Sequence, residues 1–217
     1  MVEVDAPTIR PWTPGPPAAH TRAGTIDVWR ADLTAVEEEL EELLCAEERA
    51  RAARIVRERD RVLWARSRGV LRALLGHYLD RDPRTLDFTL GAHGKPALLR
   101  EETGPEPSAA ADLRFNLSHS GTLALYAITA ECEVGVDIER ARERYTLEFL
   151  RAWVAREAAG KCRGTGLGRG TGLAKSRGAP SQEELWTAEL DVGPDAAGAV
   201  AVEGGPCELR CWEWRAV

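Results

Sequence analysis

No apolar run in this 217-residue chain approaches the ~20 residues a helix needs to cross a bilayer, which excludes an ordinary membrane-spanning protein. The opening MVEVDAPTIRPWTPGPPAAH lacks both the basic start and the apolar stretch of a secretory signal, so the cytoplasm is the expected compartment. There is no C-x-x-C pair. Cys45, Cys132, Cys162, Cys207 and Cys211 form an odd, scattered set, which argues against a disulfide framework or a structural zinc site. Positive charge is also short overall: the formal net charge is −6, and a general nucleic-acid binder needs a cationic face. Nucleic acid is therefore not an expected partner. The local exception is residues 49–72, where nine arginines stand against only Glu58 and Asp60, enough for an anion-binding face on an acidic protein.

What is present is ordinary for a globular chain, 44% apolar and 29% charged, and long enough for two halves of about a hundred residues each. The Pro-rich residues 1–24 read as a loosely held arm, 25–129 as a first α+β half and 130–217 as a second. Thr34 and Glu37 have capping-box spacing ahead of Val36, Leu40, Leu43 and Leu44, which predicts a helix start. A second helical region spans about 45–79, with Gly69 and Gly76 as candidate interruptions. Strands are expected at 25–30, 86–90, 95–99, 113–117, 123–129 and 134–138, with EETGPEPSAAAD as a loop and Ser118-His119-Ser120 as a turn. A helix follows from about Tyr145, with Leu147, Leu150, Trp153 and Val154 on one side. The glycine-rich GTGLGRGTG ends it, and short antiparallel strands complete the chain. The last strand precedes Val217 closely and is expected to be a sheet edge in need of cover. The fold class is α+β, since the strands do not alternate regularly with helices.

Several residues have the types and spacings that carry chemistry. Asp137 and Glu139 lie two apart at a strand end, so both carboxylates point to one face, as hard-oxygen ligands for Mg²⁺ would. Taken alone, such a pair is more often a solvated strand end. Glu157 and Lys161 stand four apart on a helix, the spacing of a surface ion pair and also of two groups aimed at one site. Ser118 and His119 offer a hydroxyl and an imidazole to an anion, and Lys95-Pro96 follows a glycine turn that exposes the lysine.

In order along the chain, GKP, FNLSHS, VGVDIE and WxxREAxxK resemble the motif set of the surfactin-type 4′-phosphopantetheinyl transferases, and the arginine-rich helices at 45–79 resemble that family's N-terminal region. The resemblance spans roughly residues 25–215. It implies a pseudo-twofold pair of similar α+β halves with coenzyme A in the cleft between them. It implies an enzyme, a magnesium-dependent 4′-phosphopantetheinyl transferase acting on a serine of an apo acyl or peptidyl carrier protein and releasing adenosine 3′,5′-bisphosphate. Asp137, Glu139 and Glu157 would then hold Mg²⁺, or Mn²⁺ in its place. Lys161 would neutralise the phosphate under attack, and on chemical grounds the serine proton would pass to Glu157 or to a metal-bound water it orients, since a carboxylate beside Mg²⁺ is placed for that transfer. Lys95 and Pro96 would bound the adenine site, Ser118 and His119 would hold the CoA phosphates, and Arg51 would contact the 3′-phosphate. A monomer is expected.

The chain departs from the family pattern at Arg156, where a lysine is usual, and at Leu63, where an arginine is frequent and Arg59 or Arg66 would substitute. Only seventeen residues separate Glu139 from Glu157, fewer than in relatives, so a loop and two helical turns fit there. Two other readings follow from the same residues: a relative that binds CoA or a carrier protein without turnover, and a metal-dependent nuclease, against which the acidic charge and FNLSHS both count.

Overall fold

The computed structural model describes residues 10–17, 19–91, 94–99, 113–142, 145–165 and 185–215. Ten strands and three α-helices fall among them: β1 (Thr13–Pro14), β2 (Thr25–Asp32), α1 (Ala46–Ala52), α2 (Glu58–Leu79), β3 (Phe88–Leu90), β4 (Pro96–Leu98), β5 (Leu113–Ser120), β6 (Leu123–Ala130), β7 (Val134–Arg140), α3 (Leu147–Cys162), β8 (Leu185–Leu190), β9 (Ala196–Glu203) and β10 (Glu208–Glu213). The α+β class is as expected. None of the described helices is long and apolar enough to cross a membrane. The loop expected at 101–112 and most of GTGLGRGTG lie outside the described residues.

A five-stranded sheet has the order β1-β10-β2-β6-β5, and a three-stranded sheet the order β7-β9-β8. In each, a strand is followed by helix and hairpin, and the last hairpin strand lies in the middle: β2-β6-β5 repeats as β7-β9-β8, both wholly antiparallel. Side-chain alternation then sets the layers. From β2 and β6, Trp29, Ala31, Ala124, Tyr126 and Ile128 pack under α2 with Val70, Leu71, Leu74 and Leu75. Their neighbours of opposite parity, Ile26, Val28, Leu125 and Ala127, pack on Val134, Val136, Ile138, Val200 and Val202 of the second sheet. Both faces of β6 are therefore buried, which is why LALYAITA is apolar except at Thr129 rather than alternating. Beyond the second sheet, Ala197, Ala199 and Ala201 receive Leu150, Val154, Ala158 and Cys162 of α3. The result is helix, sheet, sheet, helix.

Several local readings change. The helix expected at Thr34 does not start there, because the Asp32 carboxylate accepts from both Thr34 N (2.9 Å) and Thr34 Oγ1 (2.7 Å) and turns the chain. Only a short 3-10 segment, Glu38–Leu43, follows, and the capping box closes instead between Cys45 and Glu48. The region 45–79 is broken at 53–57, not at its glycines. Gly69 and Gly76 sit inside α2 because a Cβ there would overlap the Leu40 carbonyl and Pro83 respectively. Ser118-His119-Ser120 is not a turn: β5 runs through all three residues, and the reversal is made by Gly121-Thr122, with Gly121 at φ +60°. Trp153 is 38% exposed rather than buried, stacked on Phe149 at 6.3 Å, because the i, i+4 line from Leu150 to Cys162 takes the packed side.

The final strand is not an edge. β10 pairs in parallel with β2 on one side and with β1 on the other, so Thr13–Pro14 within the arm supplies its cover. Asp27 anchors this arrangement, 1% exposed yet accepting from Arg210 (2.7 Å twice), Trp212 Nε1 (2.8 Å) and the Tyr78 hydroxyl (2.7 Å). A buried carboxylate is tolerable only with such a set of donors.

Candidate functional site

Strand β7 carries the acids. Period two sends Asp137 and Glu139 to the same side, where β5 of the other sheet presents its own alternate residues. Ser118 Oγ donates to Asp137 Oδ1 at 2.9 Å, and Ser120 Oγ donates to Glu139 Oε2 at 3.0 Å. Asp137 is buried at 5% exposure, and its Oδ2 has no hydrogen-bond partner. Such an orphan oxygen is costly unless something completes it.

Helix α3 brings the other two groups. Thr146 caps it, accepting from Phe149 N at 3.2 Å, and the helix supplies nearly three turns before Glu157. Its approach to β7 is unusually close, because Gly135 has no side chain: a Cβ there would overlap the Ala158 carbonyl oxygen and the Cys162 nitrogen. Lys161 consequently reaches across to donate to Asp137 Oδ1 (2.6 Å), Ser118 Oγ (2.9 Å) and the Val136 carbonyl (3.1 Å). Glu157 is half-buried, and its pKa is raised, chiefly by desolvation and then by the charge on Asp137. A carboxyl held above its ordinary range is a better proton acceptor when ionised.

The nine arginines of 49–72 are sorted by their partners. Arg66 is bound to Glu38, Glu41 and the Leu33 carbonyl, and buried Arg72 to Glu48 and the carbonyls of Pro83 and Leu86. Arg66 is thus committed elsewhere and does not stand in at Leu63, which is itself a core residue. Arg51, Arg54 and Arg68, together with the paired Arg72, line a cavity of about 800 Å³ between α1, α2 and the β3–β4 hairpin, with Trp64, Phe88, Pro96 and the acids Glu47, Glu48 and Asp87 among its walls. Arg51 and Arg68 both lie over the Trp64 ring, at 5.7 and 5.5 Å. Arg68 Nη1 is buried without a hydrogen-bond partner, and desolvation lowers its pKa.

Arg68 carries no motif of its own, and the sequence offered no reason to prefer it among nine. Its one signal is the i, i+4 spacing from Trp64, which puts a guanidinium beside an aromatic face. Pro96 is on the cavity wall, whereas Lys95 points away, donating to Glu133 Oε2 (2.6 Å) and the Val134 carbonyl (2.9 Å), and so ties the hairpin to the start of β7. His119, of opposite parity to Ser118 on β5, keeps an exposed face but is crowded enough that desolvation lowers its pKa first, followed by the charges of Lys161 and Arg68. It lies within electrostatic reach of both the acids and the arginine cavity.

Among the described residues no group of three or more His, Cys, Asp or Glu side chains is gathered closely enough to hold a metal ion. Glu139 is drawn to Ser120, and one Asp137 oxygen is taken by Lys161. The chemistry nevertheless fits a hard divalent cation: the donors are carboxylate oxygens, and the buried Asp137 Oδ2 is available to it. A cavity with arginines outnumbering acids and an aromatic wall suits a phosphorylated ligand with a planar ring.

A family model described as "4′-phosphopantetheinyl transferase, N-terminal" matches residues 28–132. The chain is 30% identical over 238 residues to the 4′-phosphopantetheinyl transferase HetI of Nostoc sp., covering 94% of this chain and 98% of that protein. It is also 32% identical over 92 residues to the human L-aminoadipate-semialdehyde dehydrogenase-phosphopantetheinyl transferase, covering 42% of this chain and 28% of the human protein.

Proposed function

The chain belongs to the 4′-phosphopantetheinyl transferase family, and from that premise we propose that it transfers the 4′-phosphopantetheine of coenzyme A, with Mg²⁺ bound, to a serine of an apo acyl or peptidyl carrier protein. The observation that carries the proposal is the buried Asp137 carboxylate, with one oxygen held by Ser118 and Lys161 and the other without a partner. In the reaction, the carrier serine oxygen bonds to the phosphorus on the pantetheine side of the CoA pyrophosphate. The bond from that phosphorus to the bridging oxygen breaks, and adenosine 3′,5′-bisphosphate leaves.

Each residue has a distinct part. Arg51 and Arg68 take the 3′-phosphate in the cavity that Pro96 bounds. Charge on the pyrophosphate is met by Lys161, whose ammonium already lies against Asp137 and can shift to a phosphate oxygen. The serine proton passes to Glu157, which α3 presents on the same face as Lys161. His119, whose pKa burial and the charges of Lys161 and Arg68 lower in the free chain, serves as a hydrogen-bond donor to phosphate. Asp137, Glu139 and Glu157 would hold the cation, which would supply Lewis-acid stabilisation of charge on the pyrophosphate.

Purified protein with Mg²⁺, CoA and an apo carrier is expected to add one phosphopantetheine, read as a mass gain on the carrier serine. CoA binding without transfer across several carriers would replace this reading with that of a non-catalytic CoA binder. Arg68→Ala is expected to raise the KM for CoA by about 10-fold, the scale of a charge-assisted hydrogen bond of ~1.5 kcal/mol. The KM for the carrier should stay as it is, and an unchanged KM for CoA would remove Arg68 from the donor site.

A further inference from the structure

The two sheets meet along β5 and β7, and no backbone ladder joins these strands. Their contact is made by side chains at alternate β5 positions. Arg114 Nε pairs with Glu133 at 3.1 Å, and Asn116 Oδ1 accepts from Val136 N at 2.9 Å. Ser118 donates to Asp137 at 2.9 Å. Ser120 Oγ accepts from Arg140 N at 3.1 Å while donating to Glu139 Oε2 at 3.0 Å. Each bond of this seam falls on β7 or just before it, and the hydroxyls of Ser118 and Ser120 reach the Asp137 and Glu139 carboxylates themselves.

We propose that Ser120 is a positioning residue for Glu139: its hydroxyl grips both the β7 backbone and the Glu139 carboxylate, and so sets that carboxylate beside Asp137 for the divalent cation. The proposal rests on the reading of Asp137, Glu139 and Glu157 as cation ligands. Burial supports a dedicated role, since Ser120 is only 6% exposed at the mouth of a hairpin, where a small apolar residue would pack as well. The hydroxyl is used fully, one lone pair on the Arg140 N–H and its proton on Glu139, so rotation toward another partner would cost the part-buried Arg140 N–H this acceptor. A glutamate without this tether has three free torsions. The tether leaves one carboxylate oxygen of Glu139 for the hydroxyl and the other for a ligand. Ser118 makes the matching bond to Asp137, but it also holds the Lys161 ammonium, so Ser120 is the cleaner probe.

The test is Mn²⁺ binding to the full chain freed of divalent cations, followed by loss of the electron paramagnetic resonance signal of free Mn²⁺. Ser120→Ala is expected to weaken binding about 10-fold or more, the usual scale for removing an outer partner of a metal ligand. Ser120→Thr, which keeps the hydroxyl, is expected to restore it. Both variants should bind CoA without metal as the parent chain does, by calorimetry, since the arginine cavity lies on other elements. Equal Mn²⁺ affinity in Ser120→Ala, or a threonine variant as weak as the alanine one, would overturn the role of Ser120 while leaving the transferase reading in place. A parent chain that neither binds Mn²⁺ nor transfers phosphopantetheine would overturn that reading and this role with it.

Discussion

Asp137→Asn is expected to slow phosphopantetheine transfer by more than about 100-fold, because losing an outer partner of a metal ligand already costs 10- to 100-fold and this change removes a ligand's charge. Asparagine matches aspartate in volume and still accepts from Ser118, so packing around β7 should survive. What changes is electrostatic. The buried Oδ2, without a partner here, becomes either an NH₂ group facing the cation or a neutral amide oxygen, and Lys161 loses the charge it meets at 2.6 Å. The change also removes the charge that helps raise the Glu157 pKa, so that carboxyl is expected to ionise more readily than in the parent chain. Transfer measured as kcat/KM by carrier mass, alongside CoA affinity without metal, separates these effects. The first should collapse and the second hold. Activity within a factor of ten of the parent would rule out Asp137 as a ligand.

Gly135→Ala is the second large effect, and it acts through the backbone. The added methyl would overlap the Ala158 carbonyl oxygen and the Cys162 nitrogen, both main-chain atoms that no rotamer change can move. α3 must then retreat from β7 or the strand must bend. Such overpacking costs about 1–3 kcal/mol, a fall in Tm of roughly 2–12 °C for a chain of this size. The catalytic loss should exceed what stability alone implies. Lys161 reaches the Val136 carbonyl at 3.1 Å and Asp137 at 2.6 Å only because the helix lies so near, and Glu157 rides on the same helix. Gly160→Ala is the internal control: a Cβ there meets nothing within 4 Å, and alanine in a helix interior is favoured over glycine by about 0.5–1 kcal/mol. Melting should fall in Gly135→Ala and rise in Gly160→Ala, and only Gly135→Ala should lose transfer rate. A Gly135→Ala protein with parental melting and parental rate would show that the close approach is not needed.

The acid pairs were legible because their geometry is local. Asp137 and Glu139 share a side through the two-residue period of β7, and Glu157 and Lys161 share a face through the helical turn. Local signals misled where two of them compete. Thr34 with Glu37 has the letters of a capping box, yet the Asp32 carboxylate lies two residues back and captures Thr34 first. Ser118-His119-Ser120 has the composition of a turn, yet Gly121 at φ +60° reverses the chain one step later, and the motif is divided between two faces of a strand. That division sends the serines to the carboxylates and leaves His119 on the side of α2.

The sequence by itself determined the α+β class and most strands, and it put Asp137 with Glu139 and Glu157 with Lys161 on shared faces, since periodicity and spacing depend only on neighbours along the chain. Tertiary structure alone decided which arginines are free for a ligand, because pairing with Glu38, Glu41 or Glu48 is made across 24 to 28 residues. It likewise decided that Lys95 braces β7 from 38 residues away rather than facing the cavity. It placed β10 between β1 and β2, where backbone groups at the end of the chain find cover from its beginning. Joining Ser118, Asp137 and Lys161 at one point required two sheets and a helix to close on a single glycine, a steric condition that residue order does not express.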